Sequence, residues 1–232
     1  MPAPVGRREA NKRATRAALS AAAQRLFAER GFEQTTVRDI ARAAAVTERT
    51  FYRYFDGKEG LLADEYLTWL DRLHDAIVAR PAAEAPLVAV HRATVALARE
   101  ASAEPGPAPL WLFSEGLPMR TLRRFEPRPL LRIEASIAAA ILTRIRTDHT
   151  AAESRPAPSA GDEEFRSRVL GRVAIAALRS AVIRYRELRA AGTDRAGTDR
   201  AGTVEQLLDQ AFAIIRDEVF AGDLPQDADA ST

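Results

Sequence analysis

Four side chains close together in the sequence, Arg49, Thr50, Tyr52 and Arg53, have the types that bind DNA. Arginine donates to base edges and to phosphates, threonine offers a hydroxyl and a methyl group, and tyrosine adds an aromatic ring with a donor. Such residues can read DNA only from the free side of an element that fits the major groove. The chemistry therefore predicts a nucleic-acid contact and requires a short element that presents these side chains outward.

The residues before this group predict a short helix that can pack beneath it. Thr36 and Asp39 have the spacing of a capping box, so the helix is expected to begin near Val37. Its apolar positions recur at the three- and four-residue intervals of one buried helix face, at Val37, Ile40, Ala41 and Ala44.

A second short helix, residues 48–54, is predicted to carry the DNA-binding side chains. Thr47 can cap it, and Phe51 and Phe55 are expected to anchor its inner side. Asp56 and Glu59 repeat the capping-box spacing and predict another helix directly afterwards. Two such helices joined by a tight turn are typical of a helix-turn-helix unit. An ordinary helical hairpin with a solvated polar face is the alternative.

The stretch GFEQTTVRDIARAAAVTERTFYRYFDGKEGLL resembles the DNA-binding domain of the TetR family of bacterial repressors, with the similarity running from about Lys12 to Leu62. The resemblance implies a homodimer on a palindromic, double-stranded operator. The chain departs from the family at Ala45, where glycine is usual in the turn. If that position needs a positive φ, alanine costs about 1 kcal/mol. The predicted DNA-contacting residues are Thr36, Arg38, Thr47, Arg49, Thr50, Tyr52, Arg53, Tyr54 and Lys58.

The charge distribution agrees with a DNA-binding amino-terminal part. Residues 1–60 hold 12 lysines and arginines against 7 acidic residues, a net charge of +5 within an overall charge of +2. The basic stretch from Arg7 to Arg16 could follow the phosphate backbone or reach a minor groove, or it could be a solvated helix start. Cysteine is absent, and neither a signal peptide nor a membrane span is recognised. Together with the resemblance to bacterial repressors, these features lead us to expect a cytoplasmic protein that joins the nucleoid when bound to DNA and has no membrane partner.

Apolar stripes in the remaining chain predict a larger helical part. The fold class is expected to be all-α, with about nine to ten helices. Residues 7–56 are predicted to form the helix-turn-helix domain and residues 57–222 an effector-binding and dimerisation domain, with disordered tails at 1–6 and 223–232. Residues 162–190 predict one long helix, and the repeat AGTDR after Ala190 predicts a lengthened surface loop. Thr203 is expected to cap the last helix.

A small apolar or amphiphilic effector is expected in the larger domain. The pattern A-L-R-x-A-x-x-R-Y at 177–185 is loosely similar to an actinobacterial subgroup whose proposed ligands are acyl-CoA-like. Arginines between 120 and 132 could hold the phosphates or carboxylate of such a ligand, or could be a solvated surface. The predicted ligand-contacting residues are Trp69, Leu73, Trp111, Phe113, Leu117, Arg120 and Arg124.

The last two predicted helices resemble the pair through which TetR-family proteins dimerise. The first of them is apolar on most sides between Val169 and Ile183, and such a helix must be covered on most sides. The predicted dimer residues are Val173, Ala177, Ser180, Ala181, Arg184, Leu208, Phe212 and Ile215.

No catalytic, cofactor-binding or metal-binding pattern is found. His74, His91 and His149 have no metal-ligand spacing, and no nucleophile elbow, Walker loop or dinucleotide fingerprint occurs. The chain is therefore predicted not to be an enzyme and to need no cofactor. The leading hypothesis is an effector-released repressor. The alternative is a DNA-binding structural or corepressor-recruiting protein without a small-molecule ligand.

Overall fold

The computed structural model describes residues 6–103, 128–151, 159–191 and 203–219, and every regular element in these ranges is helical. Eight α-helices lie in these ranges, slightly fewer than the nine to ten expected, and the all-α prediction is confirmed. They are α1 (Arg7–Arg30), α2 (Val37–Ala43), α3 (Glu48–Tyr52), α4 (Gly57–Val78), α5 (Pro86–Ala103), α6 (Pro129–Ala151), α7 (Ala160–Ala191) and α8 (Val204–Ile214), which a π-helical turn, Ile215–Val219, extends.

Three of the four predicted side-chain caps form. Thr36 and Asp39 make a full capping box at the start of α2, Thr47 accepts from Thr50 N at the start of α3, and Thr203 caps α8. The capping box predicted at Asp56 is wrong, because this residue makes no side-chain cap bond. The extended backbone of Thr36 and Thr47 (ψ 158° and 157°) aims the side chain at the first helical turn, whereas Asp56 has ψ 77°.

Aromatic and aliphatic side chains hold the first three helices together. Leu19 of α1, Ile40 of α2 and Phe51 of α3 are each fully buried, and Phe55 joins them just after α3. Gly31 ends α1 with φ 81°, and its N–H donates to Phe27 O at 2.9 Å. The buried underside of α3 is thus fixed, as the sequence predicts.

The long helix α4 leads from this cluster into the rest of the chain. It buries Leu61, Leu62, Tyr66, Leu73 and Ile77 and packs along α6. The Tyr66 hydroxyl donates to Pro129 O at 2.6 Å, which ties α4 to the first residue of α6.

A buried arginine of α6 secures the carboxyl-terminal end of α4. The Arg144 guanidinium is 8% exposed and donates to the carbonyl oxygens of Ile77, Arg80, Pro81 and Glu84. A cation at this end complements the helix dipole and provides donors for the carbonyl groups of the last turn of α4 and of the segment that follows it.

Small residues allow α6 and α7 to approach each other closely. A Cβ on Gly171 of α7 would lie 3.1 Å from Ala138 Cβ and 3.2 Å from Glu134 O of α6. Helix α8 packs against both α7 and α5. His91 of α5 stacks on Phe212 of α8, with 4.8 Å between ring centroids, and its Nε2 lies 2.7 Å from Asp209 Oδ1.

The predicted dimer set needs correction at four positions. Ala177, Ala181, Leu208 and Phe212 are at most 6% exposed, because they pack inside the protomer between α5, α7 and α8. Side chains that are already covered cannot supply surface to a second copy. Of the other four, Ser180 and Arg184 are exposed, and Val173 and Ile215 are half-buried.

Helix ends differ from the predictions by a few residues. Helix α3 ends at Tyr52, two residues earlier than predicted, and α7 spans Ala160–Ala191. Residues 1–5 and 223–232 of the predicted tails, the AGTDR repeat beyond Ala191, and Trp111, Phe113, Leu117, Arg120 and Arg124 lie outside the described residues. Among the helices of the described ranges, none is both long and apolar enough to span a membrane.

Candidate nucleic-acid interface

Helix α3 separates a buried face from an exposed face, as a groove-binding element must. Phe51 is fully buried, whereas Tyr52, the next residue, is 58% exposed. The two rings meet edge to face with 5.6 Å between centroids. Arg49 and Arg53 are exposed on the same short helix and its carboxyl-terminal cap. The predicted base-reading side chains are therefore accessible while their neighbour anchors the helix.

Two threonines order the amino-terminal turn of α3. Thr47 Oγ1 accepts from Thr50 N at 3.1 Å, and the two hydroxyl oxygens lie 3.0 Å apart. Thr47 is exposed and Thr50 is half-buried. These bonds hold the hydroxyl of Thr50 next to Thr47 at the amino-terminal end of α3.

Arg53 and Tyr54 form a joined pair at the carboxyl-terminal end of α3. The guanidinium carbon of Arg53 lies 5.1 Å from the Tyr54 ring centroid, and Nη2 lies 3.4 Å from the Tyr54 hydroxyl. Burial opposes ionisation of this hydroxyl, but hydrogen bonds from Arg53 and Thr15 and the nearby charges of Arg53 and Lys12 outweigh it. The pKa of Tyr54 therefore lies below its usual value of 10.0. This hydroxyl is thus in a cationic environment between α3 and α1.

The start of α2 supplies two further predicted residues. Thr36 and Arg38 are both exposed. The Thr36 hydroxyl already bonds Asp39, accepting from its N–H at 3.1 Å and donating to Oδ2 at 2.6 Å. The bonds that the Thr36 hydroxyl and the Thr36 N–H donate to Oδ2 hold the pKa of the Asp39 carboxyl below its usual value of 3.8. Arg38 makes none of the hydrogen bonds or ion pairs found among the described residues, so its guanidinium is available.

The turn between α2 and α3 contains the strained backbone that the sequence suggests. Ala45 has φ 54°, and it is the one residue other than glycine with a positive φ among those the structure describes. Its N–H donates to Arg42 O, and Val46 N donates to Ala41 O at 2.9 Å. The turn needs the left-handed conformation, and alanine adopts it at a cost.

Lys58 has a different environment from the one predicted. Its ammonium lies among the carbonyl oxygens of Phe32, Glu33 and Thr35, which belong to the loop between α1 and α2. The sequence placed this side chain at a phosphate because it lies in the first turn of α4. Periodicity within α4 cannot show that a loop 23 to 26 residues earlier would fold against it.

Polar contacts between α1 and α4 were not predicted. Arg16 pairs with Asp64, and Gln24 Nε2 donates to Glu65 Oε2. The partners are 48 and 41 residues apart, so no local spacing announces them. These contacts fix how α1 lies on α4.

An open groove of about 290 Å³ lies between α4 and α6. Four apolar and four polar or charged side chains line it: Leu67, Leu70, Ala135 and Ala139, with Asp71, His74, Arg132 and Ser136. Of the predicted ligand residues, Trp69 and Leu73 are buried in the main core and do not line this groove. No group of three or more potential metal ligands occurs among the described residues.

Comparison with known proteins agrees with this geometry. Residues 19–64 match the family described as bacterial regulatory proteins, tetR family. The chain is 40% identical over 89 residues to the HTH-type transcriptional regulator TcmR of Streptomyces glaucescens, and 48% identical over 48 residues to the HTH-type transcriptional repressor KstR2 of Rhodococcus jostii. These alignments span 37% and 21% of the chain, and only 38% and 24% of the two relatives.

The similarity of fold extends further than the similarity of sequence. The structure of the fatty acid degradation regulator FadR from Bacillus halodurans covers 92% of the chain and is itself covered to 97%, with 16% identity and a TM-score of 0.51. Proteins of the tetR family are regulators and not enzymes, as expected for this chain. Residues 19–64, which run from α1 into the start of α4, thus resemble the tetR family of bacterial regulatory proteins, and this resemblance covers the helix-turn-helix part of the chain.

Proposed function

We propose that the chain is a transcription regulator, acting as a repressor, that binds a palindromic operator as a homodimer. The observation that carries this proposal is the division of α3 into two faces. Phe51 is fully buried while Tyr52, Arg49 and Arg53 are exposed. The helix can therefore enter a major groove while its buried side stays packed in the core. The net charge of +5 in residues 1–60 favours the approach to phosphate.

Contacts to bases and to phosphates are expected to come from different parts of this surface. Arg49 and Tyr52 are exposed on α3 and, with the half-buried Thr50, are proposed to read base edges. The paired side chains of Arg53 and Tyr54, with Arg38 and Thr36 at the start of α2, are proposed to contact the backbone. The cationic environment of the Tyr54 hydroxyl supports a phosphate there, since both the Arg53 and Lys12 charges act on it.

An exposed stripe on α7 is proposed as the dimer face. It consists of Phe165, Val169, Ala176, Ser180 and Ile183, spaced four, seven, four and three residues apart and hence on one side of the helix. Phe165 is 70% exposed and Ile183 is 49% exposed. Large apolar side chains repeated along one helix face are typical of a surface that another helix covers. We name these five residues the α7 stripe.

Two-fold pairing through the α7 stripe would explain recognition of a palindrome. In a symmetric dimer the same patch of each protomer meets its copy, and each protomer contributes one α3. Two such helices contact successive major grooves when they lie about 34–36 Å apart. Ile214 of α8 is 59% exposed and supplies further apolar surface near the end of the chain.

A small apolar or amphiphilic effector is proposed to release the operator. The groove between α4 and α6 supports this chemistry, because Leu67, Leu70 and Ala139 are combined with the charged Arg132 and with His74. Helix α4 forms one wall of the groove and also begins next to the helix-turn-helix unit. A ligand that favours one position of α4 could change operator affinity about 5- to 150-fold, since allosteric couplings are about 1–3 kcal/mol.

Selection of bound DNA from a random pool tests the DNA-binding part of the proposal. We expect an enriched palindrome, two protomers per duplex, and loss of binding above moderate salt. If no sequence is enriched, the proposal that the chain is a sequence-specific regulator is wrong.

A thermal-shift screen with fatty acids, acyl-CoA esters and polyaromatic compounds, followed by mobility shift on the selected duplex, tests the effector part. A compound that stabilises the protein and releases DNA supports it. If no compound class does both, the regulator has no small-molecule effector of this chemistry.

A further inference from the structure

We propose that Lys58 is a positioning residue, whose ammonium holds the loop between α1 and α2 in place, and not a ligand of the DNA backbone. This inference rests on the proposed DNA-binding function. It separates Lys58 from the other basic residues of the same surface, which remain free to contact phosphate.

The ammonium of Lys58 is surrounded by backbone carbonyl groups. Nζ lies 2.8 Å from Phe32 O, 3.2 Å from Thr35 O and 3.5 Å from Glu33 O. It also lies 4.3 Å from the centroid of the Phe32 ring. A lysine ammonium has three N–H donors and no acceptor, so these three carbonyl oxygens account for its full donor capacity. The negative face of the Phe32 ring also attracts the ammonium electrostatically.

The loop that Lys58 holds is the one that starts α2. Thr35 is 1% exposed, and its hydroxyl donates to Gly31 O at 2.8 Å. The next residue, Thr36, is the amino-terminal cap of α2. Through the turn at Ala45, α2 in turn determines where α3 lies. Lys58 therefore connects the first turn of α4 to the loop that sets the direction of both helices of the helix-turn-helix unit.

Transfer of Lys58 to a phosphate would leave this loop without its donor. Three carbonyl oxygens would lose a charged partner together, and Phe32 O would keep only its bond from Thr35 N. Hydrogen bonds to charged groups contribute more than neutral ones, so this loss would loosen the loop. A compact ammonium suits three converging carbonyl groups, whereas the planar fork of arginine is shaped for carboxylate or phosphate. The site thus selects lysine for a reason unrelated to DNA.

Salt dependence separates a positioning residue from a phosphate ligand. We would measure binding of the selected operator duplex to the full chain, Lys58→Met and Lys58→Arg over a range of salt concentrations. Loss of one phosphate contact reduces the slope of log K against log salt by about 0.9. We expect both variants to bind at least about tenfold more weakly with the slope unchanged, because the loop is displaced while every phosphate contact remains. A slope reduced by about 0.9 in Lys58→Met, or full affinity in Lys58→Arg, would overturn the proposal.

Amine reactivity gives an answer even if a variant does not fold or the operator is not found. The chain has only two lysines, Lys12 and Lys58, so reductive methylation of the unchanged protein reports each separately by mass spectrometry. Lys12 is exposed and serves as the matched control. We expect Lys58 to react at least about tenfold more slowly than Lys12 without DNA, since its ammonium must first leave three acceptors. Equal rates in the free protein would contradict the proposal whether or not the chain binds DNA.

Discussion

The Arg16 guanidinium of α1 bonds both oxygens of the Asp64 carboxylate of α4: Nε lies 3.2 Å from Oδ2, and Nη2 donates to Oδ1. The guanidinium carbon of Arg16 also lies 4.9 Å from the centroid of the Phe55 ring. The Arg16 side chain thus joins α1 to Phe55, which lies directly after α3, and to α4. A change in the position of α4 must move or break this contact.

The first prediction concerns this ion pair. Asp64→Asn should lower the free energy of unfolding by about 0.2–1 kcal/mol, because half-exposed pairs contribute little. A cycle with Arg16→Met should show that the two changes are coupled. The exposed pair of Arg25 and Glu29, 3.9 Å apart on α1, provides the control. Equal losses of unfolding free energy from Glu29→Gln and Asp64→Asn in chemical unfolding would show that the Arg16–Asp64 pair stabilises the protein no more than an exposed pair within one helix.

The second prediction concerns the turn between α2 and α3. Ala45→Gly should raise the free energy of unfolding by about 1 kcal/mol, since φ 54° costs alanine and not glycine. Ala44→Gly is the matched control: Ala44 has φ −87°, so glycine there should destabilise through greater freedom of the unfolded chain. Thermal unfolding of both variants measures the difference. A lower stability for Ala45→Gly would show that the turn is not strained.

The third prediction separates the two faces of α3. Tyr52→Ala or Arg49→Ala should reduce operator binding by about 1–3 kcal/mol with little change in unfolding, because both side chains are exposed. Phe51→Ala should instead lower the free energy of unfolding by about 3–5 kcal/mol, because the ring is fully buried. Mobility shift and chemical unfolding on the same preparations provide both values. Similar loss of stability from all three changes would mean that the faces are assigned wrongly.

Local patterns in the sequence were sufficient to predict the helix-turn-helix unit. Capping boxes act within four residues, and the apolar period of a helix acts within two turns, so residue types and their spacing alone assign Thr36, Thr47, Phe51 and Thr203. The turn at Ala45 could be suspected because a single backbone angle decides which residue it tolerates.

Contacts between distant segments could not be predicted in the same way. The ammonium of Lys58 meets carbonyl groups, which every residue has, so no residue type marks its partners. Arg144 likewise donates to four carbonyl groups at the end of α4. Two apolar residues of α7, Ala177 and Ala181, and two of α8, Leu208 and Phe212, were assigned to a second copy for a related reason, although they pack inside the protomer. Periodicity shows that Ala177 and Leu208 are buried, and it cannot show whether the same chain or a second copy buries them.

The fourth prediction uses two carboxyl groups whose pKa values move in opposite directions. Burial between α1 and α4 raises the pKa of Glu65 above its usual 4.5, although hydrogen bonds from Ser20 and Gln24 oppose the shift. Its stabilising contribution is therefore complete below pH 4.5 and is lost as the pH rises through the raised pKa. Glu65→Gln, which stays neutral, should raise the melting temperature more at pH 7 than at pH 4.

Glu84 is the control for this comparison. Hydrogen bonds from Arg80 and Arg92 lower the pKa of Glu84 to about 2, so its contribution is present above pH 4.5 and is lost as the pH falls through about 2. Glu84→Gln should therefore lower the melting temperature at pH 7. The same sign of change in both variants at pH 7 would contradict the opposite environments assigned to the two groups.

The fifth prediction tests the proposed dimer face. Phe165→Glu or Ile183→Glu places a charge on the α7 stripe, where both side chains are about half exposed or more. We expect each to shift the protein toward monomer and to weaken operator binding, because one α3 alone contacts one half-site. Val88 of α5 is 39% exposed outside the stripe, so Val88→Glu should leave the dimer intact.

Leu208→Ala should lower the free energy of unfolding by about 2–5 kcal/mol, since it leaves a cavity in the core of the protomer. Light scattering over a concentration series distinguishes these outcomes. A Phe165→Glu, Ile183→Glu double variant that stays dimeric would place the interface elsewhere on the molecule.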